Sequence, residues 1–70
     1  MIEPRLYYKY AYIDVETGEC LGVRQMNIAN DNPALIPIPV YDEDYVGKYY
    51  LNGAWYEDAE GTIPWTSSLL

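Results

Sequence analysis

Residues 48–57 read KYYLNGAWYE, and this stretch decides the fold. Two aromatic runs flank Asn52-Gly53, the dipeptide that most strongly favours a two-residue hairpin loop with positive φ at both central residues. The loop fixes the register of the strands beside it, because one pairing at the turn determines all the others. The predicted pairs are Leu51–Ala54, Tyr50–Trp55, Tyr49–Tyr56 and Lys48–Glu57.

The sequence predicts another hairpin upstream of this one. It is the first hairpin in chain order, and the Asn52-Gly53 hairpin is the second. Residues 6–15, LYYKYAYIDV, are aromatic and β-branched and lack Gly and Pro, a composition typical of a strand. A three-residue loop over 16–18 follows, since Gly18 stands where such a loop needs a left-handed residue. The second strand then runs from 19 to about 27. The predicted pairs are Val15–Glu19, Ile13–Leu21, Tyr12–Gly22, Ala11–Val23, Tyr10–Arg24 (a cation–π pair) and Tyr8–Met26.

A proline-rich connector separates the two hairpins. Residues 27–39 read NIANDNPALIPIP, and prolines disfavour helix interiors and central strands. Residues 35–40 are therefore interpreted as an extended or polyproline-like segment at a sheet edge, and a short helical turn with Asp31 as its cap is predicted over 30–35. The sequence predicts one all-β domain over 1–66, a small antiparallel sheet or open barrel, followed by a flexible tail over 67–70.

The composition excludes several classes of function. The chain has 70 residues, with 11 acidic and 4 basic side chains, no histidine and a net charge of -7. Without histidine it lacks the usual general base and the commonest transition-metal ligand, so we expect no enzyme activity, no metal and no cofactor. Four scattered basic residues are too few for direct nucleic-acid binding. A lone Cys20 forms no internal disulfide, and the first residues contain no apolar run typical of a signal peptide or membrane segment.

The densest group of carboxylates is Asp42-Glu43-Asp44. Its spacing fails the pattern of an EF-hand beyond the first acids, so a solvated turn is the better interpretation. As an exposed acidic patch it would suit a basic surface on a partner protein. Cys20 has no histidine to activate it, and Ser67 lies in the predicted tail, so both are expected to be chemically inert.

Tyrosine is the unusual feature of the composition, with nine tyrosines and no phenylalanine. Tyrosine and tryptophan combine apolar area with a polar tip and are therefore enriched at interfaces. Two interpretations stay open: these rings form the core of a protein without phenylalanine, or some of them form an exposed interaction surface. The candidate interaction residues are Tyr8, Tyr10, Tyr12, Tyr50, Trp55, Tyr56 and Trp65.

Residues 36–57, IPIPVYDEDYVGKYYLNGAWYE, together with Tyr12–Glu19, resemble small acidic proteins encoded in bacteriophage and prophage tail regions. Those proteins share an "IP" stretch, a "YD…Y.GK.Y" segment, an "NG.W.E" turn and an opening "Y…D..TGE" hairpin. The resemblance implies a non-enzymatic role in the tail, baseplate or fibre, in the virion or in the host cytoplasm during assembly. It implies phage or host protein partners in a homo- or hetero-oligomer.

Two other hypotheses are kept. Residues 45–50 and Pro64-Trp65 more weakly resemble the chitin-binding modules of bacterial chitinases, which implies a carbohydrate-binding receptor module with an aromatic platform. The net negative charge also fits an acidic phage-encoded inhibitor that mimics nucleic acid, of the anti-CRISPR or anti-restriction type.

Overall fold

The computed structural model describes residues 8–70. They form two antiparallel sheets, which confirms the all-β prediction. The first sheet has the order β2-β1-β3, with β1 at Tyr8–Ile13, β2 at Cys20–Met26 and β3 at Leu35–Pro37. The second sheet pairs β4 (Tyr49–Leu51) with β5 (Ala54–Tyr56). A 3₁₀ turn at Glu43–Tyr45 lies between the two sheets along the chain.

The first hairpin keeps the predicted register except beside its turn. Its loop has four residues, because Asp14 N–H donates to the Glu19 carbonyl at 2.9 Å and the Asp14 carboxylate accepts from Glu16 N–H at 2.9 Å. The Val15–Glu19 and Ile13–Leu21 pairs are therefore wrong. A β-bulge at Leu21 places Ile13 opposite Cys20 and restores the register for the rest of the strand. The confirmed pairs are Tyr12–Gly22, Ala11–Val23, Tyr10–Arg24 and Tyr8–Met26.

The second hairpin confirms three of its four predicted pairs. Asn52 has φ 52° and Gly53 has φ 85°, as the two-residue loop requires. The Lys48–Glu57 pair is wrong, because the ladder ends one residue earlier. Glu57 N–H donates to the Ile63 carbonyl at 2.8 Å, and the Lys48 carbonyl accepts from Cys20 N–H at 2.8 Å.

The connector forms the third strand of the first sheet rather than a helical turn. Leu35 N–H donates to the Asn32 carbonyl at 2.9 Å, which closes a turn ahead of β3. The helical turn capped by Asp31 is wrong, because the Asn30 and Asn32 side chains accept the N–H groups of Asn32 and Ala34 and hold the backbone in turns instead. The extended edge segment is confirmed by the pairing of β3 with β1.

Backbone hydrogen bonds join the two sheets near the first turn. Gly47 N–H donates to the Cys20 carbonyl at 2.9 Å, and Tyr50 N–H donates to the Gly18 carbonyl at 2.8 Å. Between the sheets lies a thin core of buried side chains, surrounded by half-buried aliphatic and aromatic residues. The described residues contain no helix with the length and hydropathy that a membrane crossing requires. The buried core residues are Ala11, Ile13, Cys20, Ile38 and Tyr45.

Candidate functional site

One face of the first sheet carries exposed tyrosines. Tyr8 and Tyr12 are 38% and 37% exposed, unusually open for side chains in the central strand of a sheet. The Arg24 guanidinium lies 5.7 Å from the ring centroid of Tyr12, so the cation–π contact forms on the diagonal and not with Tyr10. A Cβ added at Gly22 would meet nothing within 4 Å, so the space beside Tyr12 is open. We call Tyr8, Tyr12 and Arg24 the tyrosine face.

Tyr10 does not belong to this exposed surface. It is 5% exposed, and its hydroxyl accepts the N–H of Asn30 at 3.0 Å. The connector therefore folds over the middle of the sheet and leaves both neighbouring tyrosines open. Beside Tyr10 lies a groove of about 410 Å³, whose lining is Tyr8, Lys9, Tyr10, Ala29 and 37–39.

Three of the remaining candidate aromatic residues, Tyr50, Trp55 and Trp65, belong to a second group, between the sheets. Tyr45 is 2% exposed and packs edge-on against Trp55, with ring centroids 4.9 Å apart, and against Trp65, 4.8 Å away. Tyr50 lies 5.1 Å from Trp55. We call these four residues the aromatic cluster. Each ring packs against at least one other, so the cluster is mainly structural. Its central residue, Tyr45, was not selected by the sequence analysis.

The outer side of the aromatic cluster borders a small pocket. Its volume is about 170 Å³, and Lys48 Nζ lies 5.2 Å from the Trp65 ring centroid. Tyr56 is half-buried and pairs with Pro64 in an isolated bridge, apart from the tyrosine face. The pocket is lined by Pro39, Tyr45, Trp55, Trp65, Thr66, Ser67 and Leu70.

The acidic group at 42–44 divides into one buried and two exposed carboxylates. Asp42 is 7% exposed, whereas Glu43 and Asp44 face solvent. The Asp42 carboxylate accepts a hydrogen bond from the Ser67 hydroxyl and another from Asp44 N–H at 2.9 Å. Asp42 is therefore a structural residue that joins the 3₁₀ turn to the C-terminal segment. The exposed acidic patch is limited to its two neighbours. Ser67 is buried at 4% exposure, so this first residue of the predicted tail is held in the fold.

These hydrogen bonds give folding a dependence on pH. The bond from Ser67 and then the bond from Asp44 lower the pKa of Asp42 below the usual value for aspartate. Because the folded-state pKa is the lower one, the stabilisation is fully present above the unfolded-state pKa of about 3.9 and is lost as the pH falls through the folded-state pKa.

We expect Asp42→Asn to have a lower Tm than the parent protein at pH 7. The difference between the two Tm values should become smaller as the pH drops below about 4. Circular dichroism melts across this pH range measure the effect. Ser67→Ala should reproduce it in part, while Glu43→Gln, an exposed neighbour, should change the Tm little. A gap between Asp42→Asn and the parent that stays constant down to the lowest pH would contradict this assignment.

Cys20 is a packed core residue. Its side chain is 1% exposed and its thiol lies 3.3 Å from the Gly22 carbonyl oxygen. Burial is the main cause that raises the pKa of the thiol, and the carbonyl contact partly offsets it.

We therefore expect Cys20 in the native protein to react with a disulfide reagent only as fast as the fold opens. Adding denaturant should raise the rate by orders of magnitude. Absorbance measurement of the released thiolate checks this. Rapid labelling of the native chain at neutral pH, equal to that of free cysteine, would show that the thiol is accessible.

The other turn carboxylate with a defined structure is Asp58. It accepts hydrogen bonds from the N–H groups of Thr62 and Ile63, at 2.9 and 3.0 Å, and from the Thr62 hydroxyl. These bonds lower the pKa of Asp58, the Thr62 hydroxyl contributing most, and they close the loop after β5. Within residues 8–70, no group of three or more His, Cys, Asp or Glu side chains is arranged to hold a metal ion.

The outer edge of β3 is closed to further strands. Ile13 N–H donates to the Ala34 carbonyl at 2.8 Å and Ile38 N–H to the Lys9 carbonyl at 3.0 Å, so the even-numbered positions of this segment point towards β1. The odd-numbered positions point outward. There the N–H of Leu35 is bonded to Asn32, and 37 and 39 are prolines, which have no N–H. This edge offers no free donor.

Within residues 8–70, the outer edge of β2 is unpaired at Val23–Gln25, whereas its first residue, Cys20, bonds Gly47 and Lys48. Because β1 uses its odd positions to bond β3, its even positions bond β2, where their partners are Gly22, Arg24 and Met26. The backbone groups of Val23 and Gln25 therefore point away from the sheet. Within residues 8–70, no backbone or side-chain group bonds to either of them on that side. The open β2 edge, as we name Val23–Gln25, adjoins the tyrosine face through Arg24.

Comparisons of the chain with protein-family models, with curated proteins and with solved structures found no match. The candidate site is therefore defined by geometry alone. The sequence analysis selected Tyr8 and Tyr12 as candidate interaction residues, and both are exposed, but it did not consider the β2 edge. A signal was present, because prolines at alternate positions 37 and 39 mark one edge as blocked and draw attention to the other.

Proposed function

We propose that this chain is a non-enzymatic, virion-associated bacteriophage protein that serves as a structural or assembly accessory of the tail, baseplate or fibre. The resemblance at 36–57 and at Tyr12–Glu19 supports the phage assignment. Its place is the virion, or the host cytoplasm while the particle assembles. It acts through contacts with other proteins.

The observation that carries the proposal is the open β2 edge beside the tyrosine face. Tyr8 and Tyr12 are exposed, and Leu21 at the adjoining bulge is 52% exposed. Aromatic residues and arginine dominate the energetics of protein interfaces, and an open strand edge adds directional hydrogen bonds to a partner. Such a surface in a small domain with a thin core fits a protein whose function is completed by a neighbour.

The carboxylates support the same proposal. Asp42 and Asp58 have lowered pKa values because their oxygens accept hydrogen bonds that hold turns. General acid catalysis by a carboxyl group needs the opposite, a pKa raised by burial or by a second carboxylate. Their chemistry is that of structural residues.

Detection of the chain in purified particles tests the proposal. Virions of the phage that carries this gene would be banded in a density gradient, and the chain would be quantified by mass spectrometry against the major tail protein. We expect a fixed ratio through the virion band. Tyr8→Ser combined with Tyr12→Ser should reduce the ratio, whereas Ile63→Ser, at an exposed site in the loop after β5, should not. A chain found only in the soluble lysate, never with particles or assembly intermediates, would contradict the proposal.

A carbohydrate-binding module is the second candidate, and the pocket beside Trp55 and Trp65 favours it. Aromatic walls and the adjacent Thr66 hydroxyl are groups that sugar rings can contact. Retention on a column of chitin or of host glycan tests it: Trp65→Ala should abolish retention, and Tyr12→Ser should leave it unchanged. Passage of the parent protein through both columns without delay would contradict this candidate.

A further inference from the structure

The loop of the second hairpin joins an asparagine to a glycine in an open environment. Asn52 and Gly53 are both exposed, and an added Cβ at Gly53 would meet nothing within 4 Å. Within residues 8–70, no group accepts the N–H of Gly53, and the Asn52 carboxamide makes no hydrogen bond. The backbone nitrogen and the neighbouring side-chain carbonyl carbon are therefore both available to react with each other.

The other asparagines differ from Asn52 in ways that hinder such a reaction. Asn32 precedes a proline, which has no N–H to lose. The side chains of Asn30 and Asn32 accept backbone N–H groups at 2.9 Å, which holds each carboxamide in a turn. Asn27 precedes Ile28, whose β-branched side chain crowds the backbone nitrogen. Of the four asparagines, all within the described residues 8–70, only Asn52 precedes a glycine, which leaves the nitrogen unshielded.

The loop is also able to rearrange for the reaction. Strands β4 and β5 have three residues each, and so short a ladder opens at its tip at low cost. An opened loop lets the Gly53 nitrogen reach the side-chain carbon of Asn52. Because that nitrogen must lose its proton to attack, the rate should rise with pH above neutrality.

We propose that Asn52 is a site of spontaneous covalent modification, at which the chain deamidates through a cyclic imide. The deprotonated Gly53 nitrogen bonds to the side-chain carbonyl carbon of Asn52, and the bond from that carbon to Nδ2 breaks, so that ammonia leaves with the proton. Water then adds to either carbonyl of the imide and breaks its bond to the Gly53 nitrogen. The product is a carboxylate, formed without oxidation or reduction, and the net charge of -7 becomes more negative by one.

The two possible products have different effects on the hairpin. Opening of the imide at the side-chain carbonyl gives an aspartyl residue, and Asp-Gly forms the same two-residue loop as Asn-Gly. Opening at the backbone carbonyl gives an isoaspartyl residue, whose main chain passes through the side chain and is one carbon atom longer. The longer loop no longer matches the φ angles of 52° and 85° at Asn52 and Gly53. The isoaspartyl form should therefore lose the pairing of Tyr50 with Trp55 and the packing of Trp55 on Tyr45.

Incubation of the full chain in mildly alkaline buffer at physiological temperature tests the proposal, and it does so independently of the proposed function. Peptide mass mapping follows the conversion of amide to acid at each asparagine, and a protein isoaspartyl methyltransferase with a labelled methyl donor measures the isoaspartyl product. We expect Asn52 to convert at least about tenfold faster than Asn27. Asn52→Gly keeps the left-handed loop without a carboxamide and should accept no label. Conversion of Asn52 no faster than that of Asn27 would overturn the proposal.

The stability of the two products tests the effect on the hairpin. The isoaspartyl fraction of the aged chain, separated by chromatography, should unfold at a lower urea concentration than the parent protein. Asn52→Asp carries the same added charge on an ordinary backbone and should unfold at nearly the parent's urea midpoint. An isoaspartyl fraction with the same urea midpoint as Asn52→Asp would contradict the inferred effect.

Discussion

Tyr45→Ala is expected to destabilise the protein by about 3–5 kcal/mol, the usual cost of truncating a large buried aromatic side chain. Tyr45 is almost completely buried, and its ring is the contact that Trp55 and Trp65 share. A domain of 70 residues has a free energy of unfolding of only about 4–10 kcal/mol, so the variant should be largely unfolded near physiological temperature. Urea denaturation followed by tryptophan fluorescence measures the loss.

Tyr45→Phe is the matched control, since it keeps the ring between the two tryptophans and removes only the hydroxyl. Burial, and after it the negative charge of Asp42, raises the pKa of the Tyr45 hydroxyl, so the hydroxyl stays neutral at pH 7. This variant should unfold at nearly the parent's urea midpoint. A loss of less than about 1 kcal/mol for Tyr45→Ala would contradict a core built around this ring.

Gly18→Ala is the second substitution with a large expected effect. Gly18 has φ +82°, a backbone conformation that costs an alanine about 1–2 kcal/mol. In addition, an added Cβ would lie 2.6 Å from the Tyr50 carbonyl oxygen and 2.9 Å from Leu51 Cδ2. The turn of the first hairpin is pressed against β4 here, so the backbone must move. We expect a loss of more than about 2 kcal/mol in urea denaturation, together with weakened contact between the sheets.

Two other glycines separate the cost of the close approach from the cost of the backbone angle. Gly53 has φ +85° and Gly47 has φ +89°, and an added Cβ at either would meet nothing within 4 Å. Alanine at these positions should cost about 1–2 kcal/mol for the angle alone. If Gly18→Ala costs no more than Gly53→Ala, the two sheets do not meet at this turn.

The local chemistry of the sequence was sufficient to predict both hairpins. Asn52-Gly53 requires a particular loop, and that loop leaves one register for the strands beside it. The first hairpin was harder because its turn is stabilised by side chains as well as by Gly18. Asp14 accepts a bond from Glu16 N–H and lengthens the loop by one residue, and the bulge at Leu21 then compensates. The extra loop residue and the bulge shift the register in opposite directions, so the alternation of side chains along the strands shows neither of them.

Contacts between distant parts of the chain could not be predicted. The burial of Asp42 depends on Ser67, 25 residues away, and no local pattern indicates that bond. Tyr10 and Tyr12 have similar sequence environments, yet the connector covers one and leaves the other open. The strand edges were partly predictable, since prolines mark a blocked edge. The sequence did not indicate which segment would pair with the other side of β1. The tertiary structure places β3 there and not the second hairpin.

The open β2 edge links the fold to the proposed function, and amide hydrogen exchange of the isolated full chain tests it most directly. In the first sheet the N–H of Arg24 points towards β1, whereas those of Val23 and Gln25 point outward. The account predicts an alternation along β2 in NMR exchange spectra, with slow exchange at Arg24 and rapid exchange at both neighbours. Equally slow exchange at all three residues would show that the edge is already occupied and would contradict the account.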